Sequence, residues 1–351
     1  MAWPCLEDRM ERRIRNMEEF ARVSGISRPT LSKYFQDPTS VRQSSRIKIE
    51  EALEKFDYQP NIYAVNQNRK ATKNVGIVVP YLADPFFAEI VRNIESLIVA
   101  QGYRPILMSS NGDPNLEIEN LSSLRMLKPA GVLLAPLGRA SHQDAVRSFC
   151  DDVPTVVFDC LIEDAGRAFV GHNNQQATKL MFEYLIRTGS TPVFYEMATP
   201  ANPNANKRRI AYIEAMESHD LRPMIIKVDG TGWAFEDIGY QGGLKVLRSG
   251  QLETDTVFCS NDRLAHGFLA AAYELGLRVG REPECDLRLA GHDNHPFSSF
   301  TCPKLTTISH DYQGIAELSV RKLLENIDTP HANSDHSVTL LDGELIMRAS
   351  A

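Results

Sequence analysis

SGISRPTLSKYFQD, Ser24 to Asp37, sets two short helical patterns on either side of one glycine. Upstream, Met17, Phe20, Ala21 and Val23 fall at helical spacing. Gly25 then supplies a turn where a positive φ is expected and a side chain would be costly. Ser27 stands where an N-cap belongs, and Pro29 falls in the first turn of the next helix, where it has no N–H to lose. Leu31, Tyr34 and Phe35 form the apolar face of that helix. A small residue where two helices touch, a glycine turn and an aliphatic in the second helix are what a helix-turn-helix needs. A third helix is expected from a cap at Ser44–Ser45 through Ile47, Ile49, Ala52, Leu53 and Phe56, stopped by Tyr58, Gln59 and Pro60. The second helix carries Arg28, Thr30, Ser32 and Lys33 on faces its core does not need. Such a face either stays solvated on a small bundle or enters a major groove. In the groove, Arg28 and Lys33 would reach base edges or phosphates, with Thr30 and Ser32 in support.

The charge distribution agrees with the second reading. The 351 residues carry a net charge of −7. Residues 1–73 hold fourteen Lys and Arg against ten Asp and Glu, about +4, and the rest hold twenty-four against thirty-five, about −11. A basic end on an acidic body suggests that the end alone meets a polyanion. Hydrophobic residues make up 43% and charged residues 24%, as in a soluble globular protein, and the length calls for two or three domains. No apolar run reaches the length of a membrane span, and the first fifteen residues lack a secretory h-region. The six cysteines form neither a CxxC pair nor a zinc spacing, and five of them lie in or beside apolar segments as small hydrophobes. These features point to a reduced, cytoplasmic protein.

From Val75 strands and helices alternate. VGIVVP, RPILMSS, GVLLAP, PTVVFD, AFVGHN, PVFYEM, MIIKVDG, TVFCSND, LRLAGHDN and LTTISHD read as strands, and the end, SVTLLDGELIMRAS, as more strands. Near-continuous apolar strands between helices mean parallel sheets covered on both faces, and ten strands fit two doubly wound lobes. Neither GxGxxG nor GxxxxGK[ST] occurs, so nucleotide binding is not indicated. Ligands of such sheets bind off the carboxyl ends of the strands. Asp84, Asp159, Asn173, Asn261 with Asp262, and Asp293 sit at those ends, and Arg208 begins a helix near them. A polyol or sugar needs carboxylates and a guanidinium for its hydroxyls, with aromatic faces such as Phe86, Phe87, Trp233 and Tyr312 for its C–H side. Singly, an Asp or Asn at such a place can be no more than a helix cap.

Two stretches resemble one family. FARVSGISRPTLSKYFQDPTSVRQSSRIKIEEALEKFDYQPN (Phe20 to Asn61) is similar to the headpiece of the LacI/GalR transcription regulators, and NVGIVVPYLADPFFAEIV (Asn74 to Val91) to the start of their sugar-sensing core. The resemblance runs from Met17 to the last strand. It implies that Arg28, Pro29 and Lys33 occupy specificity positions, that Thr30, Ser32 and Arg42 contact phosphates, and that Asn61 opens a hinge helix. Gln67 stands where the family usually wedges a Leu into the minor groove, so weaker bending or a different operator centre is implied. In the core the resemblance places Asp293 on the effector's hydroxyls, with Arg208, Asn261 and Asp159 in the pocket and Trp233 near the pocket aromatic; Asp84 and Phe87 join this effector-binding set as the strand-end carboxylate and aromatic face read above. His310 takes a position usually polar, where a histidine is either a pH-sensitive group or a neutral donor. Asn173 and Asn174 replace an Asp-Asn pair, which leaves a neutral sugar, a polyol or a sugar acid all open.

The expected architecture is α/β. A three-helix helix-turn-helix headpiece spans 15–60 and a hinge linker 61–74. A two-lobed, doubly wound, parallel-sheet core of the periplasmic-binding-protein type spans 75–351. Its first lobe is expected to take 75–172 and 310–337, its second 173–309 and 338–351. The expected function is a homodimeric repressor that binds double-stranded operator DNA and is controlled by a small effector in the cleft, with no cofactor, metal or membrane. Two rivals share the body. One is a sugar-binding protein of a transport system, which the helix-turn-helix opposes. The other is a glycosidase using Asp159 and Asp293, for which nothing in the sequence marks a raised pKa, a metal triad or a nucleophile elbow.

Overall fold

The computed structural model describes residue 14 and residues 16–56, 58, 72–250, 252–329 and 336–351. The chain divides into two compact units, residues 1–72 and 73–351. The first holds α1 (Met17–Ser24), α2 (Arg28–Gln36) and α3 (Gln43–Phe56). Asn16 caps α1 through its side chain, and Gly25 ends it with φ 67°, the left-handed turn expected there. Ser27 caps α2, accepting from the Thr30 amide. The buried core is Phe20, Leu31, Ile49, Ala52 and Tyr58. Tyr58, read from the sequence only as part of a helix stop, stacks on Phe20 with ring centroids 4.4 Å apart. Val23 and Ile47 are exposed, although their spacing suggested core positions. The third helix also begins earlier than Ser44–Ser45. The Arg42 carbonyl accepts from the Ser45 and Arg46 amides, so both serines lie inside the first turn.

The second unit contains two sheets. The first has the order β11-β5-β4-β3-β1-β2 and is parallel throughout. Its strands are β1 (Asn74–Val79), β2 (Arg104–Ser109), β3 (Gly131–Leu134), β4 (Thr155–Phe158), β5 (Ala168–His172) and β11 (Ser337–Leu341). Helices α4 (Pro85–Ala100), α5 (Pro114–Met126) and α6 (Gln143–Asp152) connect them. Side chains of β1 alternate between two cores. Val75, Ile77 and Val79 meet Ile90, Ile94 and Ile98 of α4, while Val78 joins Leu121 and Leu124 of α5. Central strands are therefore buried on both faces, whereas edge strands β2 and β11 hold no fully buried residue, and β11 alternates.

The second sheet, β7-β6-β8-β9, is also parallel. It comprises β6 (Val193–Met197), β7 (Ile225–Val228), β8 (Thr256–Cys259) and β9 (Arg288–Ala290). Its helices are α7 (Asn174–Thr188), α8 (Asn204–Glu217), α9 (Phe235–Ser249) and α10 (Asp262–Glu274). Strand β10 (Thr307–Ser309) runs beside β9 through parallel bridges and pairs antiparallel with β12 (Glu344–Ile346). Helix α11 (Tyr312–Asp328) returns to the first sheet, where Ile315, Ala316, Val320 and Leu323 are buried. One expectation needs correction. Residues 338–341 were placed in the second lobe, yet they lie in β11, paired in register with β5 of the first. Their ladder partner is the parallel edge left open by β5. Read from its second strand, the first sheet runs 2-1-3-4-5 and then β11, and the second runs 2-1-3-4 with β10 beside its last strand, a doubly wound order whose ligands sit at the switch between strands one and three. Among the cysteines, Cys150, Cys160 and Cys259 are buried, while Cys302 is exposed.

Candidate functional site: a polar helix face and an interlobe cleft

In the first unit, Arg28 and Pro29 open α2 and Lys33 lies one turn on, and all three are exposed. Thr30 and Ser32 are half-buried, and Thr30 Oγ1 lies 2.7 Å from Ser27 Oγ, within the helix cap. Arg42 is exposed just before α3. Arg28, Lys33 and Arg42 make no ion pair among the described residues, so their charges face solvent. Asn61 and Gln67 lie outside the described residues.

The second unit brings its candidates to one cleft between the lobes. Asp84, Phe87, Asp159, Arg208, Trp233, Asn261 and Asp293 all line it, with about 540 Å³ of empty space that includes the mouth. That lies within the range of small-molecule sites. Four carboxylate and amide positions come from strand ends. Asp84 follows β1 and caps α4, with Oδ1 accepting from the Phe86 amide at 3.0 Å. Its Oδ2 accepts from Arg263 Nη1 of the other lobe at 3.0 Å. Arg263 also forks onto Glu236 with two bonds of 2.7 Å and lies over the Phe235 ring at 5.0 Å. Asp159 ends β4 in a left-handed conformation, φ 62°. Its Oδ1 accepts from Asn204 at 2.8 Å and its Oδ2 from Asn202 at 3.1 Å, both on the other lobe. Burial, only partly offset by the Asn202 bond and by Lys207 and Arg208, pushes its pKa up to about 6.

All three nitrogens of Arg208 are engaged. Nε donates to Asn174 Oδ1 at 2.9 Å, Nη1 to the Ser260 carbonyl at 2.8 Å, and Nη2 pairs with Asp293 Oδ1 at 2.8 Å. Asp293 adopts φ 118°, a strained position for a residue with a side chain. Burial would raise its pKa, but Arg208 and the neighbouring His292 and His310 outweigh it and hold the carboxyl well below the usual range. His310 does not line the cleft. It is buried behind Asp293, with Nε2 3.4 Å from Oδ1, and burial lowers its pKa. His172 and His292 are likewise driven toward the neutral form by burial. Trp233 spans the lobes, stacked on Tyr81 at 5.4 Å and edge-on to Phe87 at 6.0 Å.

Some expectations resolve into structural roles. Asn173 caps α7 and Asn261 caps α10, although Asn261 also faces the cleft. Asp262 turns away and is buried, accepting from the His295 amide and the Ser298 and Thr307 hydroxyls. Sequence reasoning missed Asn202, Asn204, Ser260, Phe235 and Arg263. The Asn-Pro-rich run between β6 and α8 was the available signal for the first two, since it sits at a strand's carboxyl end. No helix among the described residues is long and apolar enough to cross a membrane.

Comparison with known proteins finds two family models. Residues 16–61 match the model of bacterial regulatory proteins, lacI family, and residues 182–351 the periplasmic binding protein-like domain. The ribose operon repressor of Escherichia coli is 28% identical over 90% of this chain and 93% of its own length. The NTD biosynthesis operon regulator NtdR of Bacillus subtilis is 25% identical over 95% and 99%. Among solved structures, the lac repressor dimer bound to operator and the anti-inducer ONPF superposes with a TM-score of 0.81 at 21% identity, covering 96% of this chain and 98% of that one. A LacI family regulator from Enterococcus faecium with bound ribose gives 0.67 at 23% identity, covering 79% and 98%.

Proposed function

Because the chain belongs to the LacI family of bacterial transcriptional regulators, we propose that it is a repressor whose hold on operator DNA is set by a neutral sugar or polyol closed into the cleft. The carrying observation is the set of polar contacts that cross between lobes. Asp159 meets Asn202 and Asn204, and Asp84 meets Arg263. Groups that bond across a cleft are groups an effector can bridge, so its binding favours the closed arrangement by its differential affinity. The charge balance favours a neutral ligand over a sugar acid. Three carboxylates line the cleft, and the described cations that reach them, Arg208 and Arg263, are already paired. Phe86, Phe87, Trp233 and Phe235 supply the apolar faces that a sugar's C–H side needs.

On the DNA side, Arg28 and Lys33 would read base edges, while Thr30, Ser32 and Arg42 hold phosphates, with Asn61 and Gln67 in the hinge. Two copies would read a pseudo-palindromic operator, since a two-fold protein matches a two-fold site. We place the protein in the cytoplasm with the DNA it regulates and assign it no catalytic step.

The test is fluorescence anisotropy of labelled DNA flanking the protein's own gene. Protein is titrated at fixed salt, then a panel of sugars, polyols and sugar acids is added. Release by a neutral member is the expected result. Release by acids alone would overturn the effector class, and turnover of a bound sugar would revive an enzyme reading.

A further inference from the structure

We propose that His292, Asp293 and His310 form a binding site for one divalent transition-metal ion of the zinc class at the floor of the cleft. The donors are His292 Nδ1, Asp293 Oδ1 and His310 Nε2. They stand 3.3 Å (His292 to Asp293), 3.4 Å (His310 to Asp293) and 3.2 Å (His292 to His310) apart. Zinc sits about 2.0–2.1 Å from histidine nitrogen and carboxylate oxygen, so tetrahedral donors lie roughly 3.3–3.4 Å apart. The triangle has that size.

Hydrogen bonding accounts for it less well. Charge-assisted N–H···O⁻ bonds run about 2.7–2.9 Å, shorter than either His–Asp edge. The proton count is also awkward. If both facing nitrogens carry protons, two donors meet at 3.2 Å. If only one does, the other's lone pair faces the carboxylate. A cation at the centre satisfies all three edges together.

Both imidazoles are fully buried, and Asp293 reaches the cleft, so the ion would enter from the cleft and keep an open position toward it. Two imidazoles and one carboxylate suit Zn²⁺, Co²⁺ or Fe²⁺ better than Mg²⁺ or Ca²⁺. Two features weaken the site. Arg208 Nη2 bonds the same Asp293 oxygen. The outer nitrogens, His292 Nε2 and His310 Nδ1, find no hydrogen-bond partner among the described residues. Such outer bonds are worth about 10–100-fold in affinity, so binding should be weaker than in a buttressed zinc site by that factor. His310 follows Asp293 only after a full loop and a strand, which is why no short ligand spacing showed in the sequence.

The experiment uses full-length protein, stripped with a chelator, dialysed and titrated with Co²⁺ alone. One equivalent should produce the intense visible bands of a four- or five-coordinate nitrogen–oxygen site, and Zn²⁺ should bleach them. His292→Gln and His310→Gln should each abolish the bands. The surface variants His219→Gln and Cys302→Ser should keep them, with circular dichroism reporting that every variant is folded. Absent bands, or bands that survive in either histidine variant, would overturn the site. The readout needs neither DNA nor effector. Loss of operator binding by the stripped protein's parent would therefore count against the functional reading and not against the metal.

Discussion

Asp159 shows how much one buried group can dictate. Its carboxyl accepts bonds only from amides, and burial lifts its pKa from 3.8 to about 6. Between those values the folded chain holds a proton that the unfolded chain has released. Stability from this group therefore falls as pH rises from about 4 to about 6, by about 3 kcal/mol in the closed arrangement. Above that window the buried charge lacks the hydration that an open cleft would restore. Urea denaturation at pH 5 and pH 7.5 should show about half of that loss in the wild type and a smaller one in Asp159→Asn; identical changes in the two would mean an ordinary carboxyl. Asp293 behaves oppositely, because Arg208 holds it ionised. Asp293→Asn leaves a buried guanidinium without its counter-charge, and a loss of about 3–5 kcal/mol is expected in the same assay. On the DNA side, an operator change opposite Arg28 should cost roughly 1–3 kcal/mol if that residue grips a base bidentately. An Arg28→Ala loss that is equal across operator sequences would reveal a phosphate contact instead. The strand-end carboxylates were legible because parallel sheets put their ligands there. His292 was not, since an imidazole beside an aspartate in an apolar segment reads as core. The amides of Asn202 and Asn204 gain their meaning only when the other lobe brings Asp159 against them.

Elements were more legible than residues, because period and punctuation act locally. Ten strands from Val75 onward were visible as apolar runs, and Gly25 and Ser27 marked the turn between α1 and α2 in the sequence itself. What stayed hidden depended on partners far away in the chain. β11 was assigned to the wrong lobe because alternation reveals a half-buried edge but not whose edge it is. Tyr58 looked like a helix stop because stacking on Phe20 leaves no periodic trace. Helices α9 and α10 illustrate the same dependence. A Cβ on Gly267 would run into the backbone carbonyl of Glu236, so the pair can touch only with glycine there. That closeness sets Glu236 under Arg263, which then reaches Asp84 in the other lobe. Gly267→Ala should push the helices apart and cost about 1–3 kcal/mol by overpacking. It should also weaken effector binding without touching the cleft wall. A thermal-shift titration with the releasing sugar separates the two effects, and unchanged affinity alongside lowered stability would show that the Arg263 fork tolerates the displacement.

At the scale of the whole molecule, the regulator depends on two equilibria meeting in one chain. Each lobe is a complete doubly wound sheet with its own cores, so each can move as a body. The contacts between them at the cleft combine the Trp233 ring against Tyr81 and Phe87 with polar bonds of the kind that ligands and protons bias. Arg263 is the sharpest of these. It bonds Asp84 across the cleft while pairing with Glu236 in its own lobe. Arg263→Ala removes the cross-lobe bond and leaves Asp84 buried without a cation, so the unliganded core should open. Small-angle scattering would record a larger radius of gyration for the variant, which the effector should shrink again. If closing the lobes is what changes operator affinity, thermodynamic linkage fixes the rest. The factor by which effector shifts operator affinity must equal the factor by which operator shifts effector affinity, and such couplings are typically about 1–3 kcal/mol. Arg263→Ala should lower effector affinity, because binding must then also close an open cleft, while the two factors stay equal to each other. Equal factors that are unchanged from the wild type, with unchanged scattering, would mean that the Asp84–Arg263 bond lies outside the switch.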